Sequence, residues 1–218
     1  MDDFFHREQR ALQDRFDSRA LADRVVGVTA HAEVQEPDRL FIESRDMFFL
    51  STVDASGQPS CSYKGGEPGF VKVLDDRTVA FPSYDGNGMY FSMGNIAASA
   101  KVGLLFLDFE TPHRLRLHGD ATLHTDAATL APWPGAELVV KIAVTALFIN
   151  CPRYVHRYRR VDGSRYVPDA GGVAPFAKWK RIDAFQDVLP PKDQGRAAAS
   201  GGEITLDQYF ADAQAGQG

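Results

Sequence analysis

The sequence predicts a mainly β protein, an antiparallel barrel with helices at its rim. Three observations predict it. Between Met47 and Asn150, short β-branched and aromatic runs succeed one another with turn residues between them. A single helical stretch interrupts these runs, so strands and helices do not alternate as they do in a parallel sheet. Finally, 218 residues with 44 % apolar and 24 % charged positions suit a globular chain with a large core.

The first elements are helical. Residues 3–26 read as helix, with Phe5, Leu12 and Phe16 on one face and Asp2 and Asp3 suited to its N-terminus. A second helix is predicted from about Pro37 to Arg45. MFFLSTV (47–53), the turn DASG and PSCSYK (59–64) read as a hairpin, with Gly57 supplying a positive φ. GFVKVL (69–74), DDR and TVAF (78–81) make another. MYFSMGNIAASA reads as a short helix. KVGLLFLDF (101–109), HRLRLHGDATLH (113–124) and the end of the run 133–150 are further strands. After Pro190-Pro191 the composition shifts to Gly, Ala and Gln, a linker with one small helix around Leu206 to Phe210. The expected division is a helical segment 1–46, a barrel 47–192 and a tail 193–218.

The net charge of −5 is a poor match for nucleic acid, which needs a basic surface to replace counterions. The N-terminus MDDFFHREQR is charged where an export signal would be apolar, and VVKIAVTALFIN is short and contains Lys141, so neither export nor a membrane span is expected. Two distant cysteines, Cys61 and Cys151, suit a cytoplasmic protein with reduced, packed thiols. None of the six histidines pairs at a metal-binding spacing on a helix, and His118 reads as structural or solvent-facing. The cluster Tyr154, His156, Arg157, Tyr158, Arg159 and Arg160 reads as a solvated or interfacial segment, or one that touches a nucleotide.

FPSYDGNGMYFSMGNI (81–96) carries the first functional signal. A strand end feeding through Gly86-Asn87-Gly88 into a helix gathers backbone N–H groups that bind phosphate without a basic side chain. By itself such a turn is more often a plain connection. Lys64 at a strand end and Arg114 on the 113–124 strand can converge with it on one anionic, planar ligand.

The stretch from Leu50 to Leu123 resembles the flavin-binding split barrel of the pyridoxamine 5'-phosphate oxidase family, and ALFINCPRYVHRYRRV and FAKWKRIDAFQDVLPPKD resemble an uncharacterised branch of it. The resemblance covers about residues 40–192. It implies a homodimer with FMN at the subunit interface. It also implies cofactor contacts from Ser60, Cys61, Ser62 and Lys64, from Pro82 and Ser83, and from Asn87, Gly88 and Met89. Arg114 would lie near the isoalloxazine edge, and Trp179 would reach the flavin from the C-terminal segment. The chain departs from the family pattern at 87–89, where a basic residue for the phosphate is missing. It also ends in YFADAQAGQG, without the family's substrate-gripping arginine motif, so pyridoxamine phosphate is not the expected substrate. The resemblance therefore implies an FMN-dependent oxidoreductase acting on another small molecule. The alternatives are a non-catalytic flavin-binding or sensing protein, or a relative that binds the deazaflavin F420 or haem.

Overall fold

The structure is a computed structural model and describes residues 4–216. The chain divides into two compact units, one ending at Asp162 and one beginning at Gly163. That division lies inside the range 47–192 that the sequence assigns to the barrel.

The first unit begins with two helices where the sequence predicts one. Helix α1 (Arg7–Arg15) is capped by His6, whose ring accepts from the Gln9 N–H; Asp2 and Asp3, expected near the helix N-terminus, lie outside the described residues. Asp17 adopts a left-handed φ of 50°, which ends the run, and α2 (Arg19–Thr29) starts again. Arg19 pairs with Asp14 across the break at 2.5 Å. A two-residue strand β1 (Ala30–His31) comes next. Helix α3 (Glu36–Glu43) opens on Pro37 and a capping box between Gln35 and Asp38.

Strands β2 (Met47–Val53), β3 (Pro59–Gly65), β4 (Lys72–Asp75) and β5 (Thr78–Ser83) form the two expected hairpins. Gly57 has φ 90° in the first loop. Helix α4 (Phe91–Ser99) crosses to β6 (Lys101–Asp108), β7 (His113–His124), the short α5 (Ala127–Leu130) and β8 (Leu138–Ile149). All pairings are antiparallel, in the order β3-β2-β6-β7-β8-β5-β4, with β1 also on β8. The sheet does not close, because β3 and β4 are its two ends. This is the predicted α+β split barrel.

Period-2 alternation buries one face of each strand. Phe48 stands at the centre, with Phe81, Phe106 and Phe70 at 4.9, 5.3 and 5.9 Å between ring centroids. Leu50, Leu104, Leu115, Leu117, Ile142 and Leu147 surround them, all fully buried. The register slips by a β-bulge between His118 and Gly119. A Cβ at 119 would sit 2.4 Å from Ile142 Cγ2 and 2.5 Å from the Ala143 carbonyl oxygen, so only glycine fits there.

Both cysteines are exposed, not packed as expected. Cys61 lies on the outward side of the edge strand β3, and Cys151 comes just after the end of β8. Among the described residues no helix is long and apolar enough to cross a membrane.

The second unit holds two 3-10 turns, Lys178–Arg181 and Asp183–Phe185, and helices α6 (Arg196–Ala199) and α7 (Leu206–Gln214). It is not a loose linker. Ile182 bridges Ile204, and Lys180 and Asp193 pair at 2.6 Å with both side chains buried.

Candidate functional site

Strand β3 has a neighbour on one edge only, and its side chains alternate accordingly. Ser60, Ser62 and Lys64 are partly buried, while Pro59, Cys61 and Tyr63 are exposed. Beyond β5 the chain turns through Tyr84–Tyr90. Asn87 folds the turn on itself, its Oδ1 accepting from the Met89 N–H at 3.1 Å. Gly88 takes φ +76°, which a side chain would strain. Tyr90, also left-handed at φ 47°, starts α4, and no side chain caps that helix. Its first N–H groups therefore carry partial positive charge toward whatever lies in front of them.

Helix α4 is held in place by hydroxyl and amide contacts. Ser92 Oγ and Ser62 Oγ share a hydrogen bond of 2.8 Å, and Asn95 Nδ2 donates to the buried Thr52 Oγ1 at 3.0 Å. Between β3, the turn and the start of α4 lies a pocket of about 320 Å³. Of the residues predicted to hold a cofactor, Ser62, Lys64, Ser83, Asn87 and Gly88 line it. Ser60 lies two residues before Ser62 on the same side of β3. Pro82 is buried opposite Val139, and Met89 is exposed in the turn.

Arg114 is not among the lining residues. Its Nη2 donates to the Cys151 carbonyl at 2.7 Å, and its Nε is buried without a partner. Trp179 belongs to the second unit, where it meets Phe185 edge-on at 6.1 Å. His118 is exposed and edge-on to Phe148. In the aromatic and basic cluster, Arg160 pairs with Asp46, and Arg157 donates to the Glu110 carbonyl.

The sequence reading missed Tyr84, Tyr90, Phe91, Ser92, Met93 and Glu137 in the pocket wall. Those up to Met93 adjoin the predicted turn and were within reach of the same argument. Glu137 was not. It arrives because β5 pairs with β8 and the Glu137 N–H donates to the Ser83 carbonyl at 2.9 Å. Its carboxylate accepts from the Tyr90 hydroxyl at 2.9 Å.

Lys64 dominates the electrostatics. Burial alone lowers its pKa, because the half-buried ammonium has no hydrogen bond or ion pair among the described residues. Burial also raises the Tyr84 hydroxyl. A desolvated cation without a counterion is costly, and it sits in the same pocket as the uncapped start of α4. The arrangement suits an anionic group with room for a planar body. The residues present thus fit an anionic group such as the phosphate of FMN, for which Lys64 and the first α4 amides are the available cation and donors.

No curated protein matches the chain. Solved structures do. HupZ from Group A Streptococcus is 22 % identical with a TM-score of 0.44, over 53 % of this chain and 93 % of that one. An FMN-binding protein from Syntrophomonas wolfei is 11 % identical with a TM-score of 0.42, over 64 % and 97 %. The haem storage protein HutZ from Vibrio cholerae is 18 % identical with a TM-score of 0.39, over 52 % and 93 %. The sequence profile of pyridoxamine 5'-phosphate oxidase matches residues 34–164, more than half of the chain and almost the whole barrel. With the split barrel and its anion-ready pocket, that match makes the chain a member of the pyridoxamine 5'-phosphate oxidase family.

Proposed function

We propose that the protein is an FMN-dependent oxidoreductase acting on a small molecule other than pyridoxamine phosphate. The observation that carries the reading is Lys64, a half-buried ammonium without a counterion in a pocket shared with the uncapped start of α4. Lys64 and the first α4 amides hold the phosphate by charge-assisted hydrogen bonds. Ser62, Ser83 and Ser92 supply hydroxyls at the same end. Bound FMN supplies the electron-transfer chemistry, and the protein supplies binding and charge. The proposed assembly is a homodimer with the flavin at the subunit interface, and the exposed thiols of Cys61 and Cys151 suit a reducing, cytoplasmic setting.

Titration with FMN and with riboflavin tests the site, because the two differ only in the phosphate. FMN is expected to bind more tightly by roughly 1.5–3 kcal/mol, one charge-assisted contact set. Equal affinities would show that the pocket does not read the phosphate. Oxidation of NAD(P)H by the FMN-loaded protein separates an oxidoreductase from a flavin-binding protein without turnover. Light scattering should give a mass near twice 24.0 kDa.

A further inference from the structure

A second cavity of about 330 Å³ lies between α2, the residues before α1, and the end of β8. Its wall is mostly apolar, with Phe5, Leu21, Val25, Val26 and Phe148, and Ser18, Thr29 and Asn150 are its polar members. The polar end is unsatisfied. Asn150 Oδ1 is buried and meets no donor. Two cations on β7, neither of them a lining residue, lie beside that end on the neighbouring strand. Leu115 pairs with Ile149 and Arg116 with Phe148, so Arg114 and Arg116 share the sheet face of Phe148. The Arg116 guanidinium lies 5.9 Å from the Phe148 ring centroid, and among the described residues Arg114 Nε is the other buried side-chain atom without a partner.

Neither guanidinium has a carboxylate partner among the described residues. Burial first, and the Arg114 charge second, work against the charged form of Arg116. A mostly apolar cavity with an unpaired amide in its wall and two cations without carboxylate partners beside it has the complementarity of one ligand class. That class has a hydrocarbon body and a single anionic head.

We propose that this cavity is a second ligand site, which takes an apolar monocarboxylate with its tail among Phe5, Leu21, Val25 and Val26 and its carboxylate at Arg114, Arg116 and Asn150. The guanidinium N–H groups donate to the carboxylate oxygens. The terminal torsion of Asn150 is soft, so a half turn exchanges its oxygen for an N–H that can donate as well. The volume lies at the small end of ligand pockets, which suits a medium-chain acid.

Calorimetric titration of the full chain with octanoate, octanol and octylamine tests the proposal. Octanoate is expected to bind saturably at one per chain, and the neutral and cationic analogues at least about tenfold more weakly. Arg116→Gln should weaken octanoate by about tenfold while leaving octanol unchanged. Ala22→Trp, which fills the cavity from α2, should remove octanoate binding and leave FMN titration as it was. Equal affinities for the three ligands would overturn the proposal, as would undiminished octanoate binding in either variant.

Discussion

Strands β8 and β3 belong to one sheet and lead opposite lives. Six of the twelve residues of β8 are buried, and it pairs with β7, β5 and β1. None of the seven residues of β3 is buried, and it pairs with β2 alone. The run Leu138 to Phe148 reads from sequence as too apolar to stand without a partner subunit. In the structure Leu138, Val139, Val140, Ile142, Val144 and Leu147 are core of this same chain, while Phe148 is only partly buried, so most of the apolarity of β8 serves its own core. The edge strand β3, polar in sequence, carries the face that lines the pocket. Central strands commit their side chains to packing. An edge strand can present hydroxyls and a lysine to a ligand because fewer neighbours compete for them.

Substitutions that strike one strand and spare the other sharpen this contrast. The largest effect is expected from Gly119→Val, because any Cβ there meets Ile142 and the Ala143 carbonyl of β8. The variant should fail to give a cooperative unfolding transition by circular dichroism. Ile142→Ala removes a fully buried side chain from β8 and should cost about 2–5 kcal/mol in urea denaturation. A loss below about 0.5 kcal/mol would show that β8 is not the packing spine.

On β3 the sign differs. Lys64→Ala should weaken FMN binding by roughly 1.5–3 kcal/mol while stability holds or rises, since an unpaired desolvated charge is removed. An unchanged FMN dissociation constant would make Lys64 a bystander. Its pH signature has a definite direction. Burial puts the Lys64 pKa below the ordinary 10.5, so its proton is lost earlier than from a free lysine as pH rises. FMN affinity should fall across that alkaline window. The stability of the ligand-free protein should rise there, because the unfolded chain keeps the proton longer. Both trends should be flat in Lys64→Ala. The smallest effect is expected from Asn87→Ala, which loses the bond to the Met89 N–H and should weaken FMN by about 1 kcal/mol.

Much of the barrel was legible in sequence. The alternation in MFFLSTV and HRLRLHGDATLH and the turn at Gly57 are local signals, and the strands formed within about three residues of where they point, GFVKVL (69–74) giving β4 at Lys72–Asp75. The helical break at Asp17 was not legible, because Phe5, Leu12 and Phe16 all precede it and only the backbone conformation reveals the turn. The glycine turn and Lys64 were visible as parts of a site. Glu137 was not, since its place depends on a strand pairing made far along the chain.

The sequence by itself determined the features that near neighbours control: the strand periods, the hairpin turns, the positive-φ glycine at 57 and the motif order of the family. Tertiary structure alone decided which strand is central and which is an edge, and therefore which apolar run is core and which lysine loses its solvent without gaining a counterion. It also set Arg114 beside Arg116, on the strand next to a mostly apolar cavity, and not in the pocket of Lys64. The physical reason is that burial and charge compensation are properties of everything that surrounds a group, and those surroundings exist only once strands distant in the chain have paired.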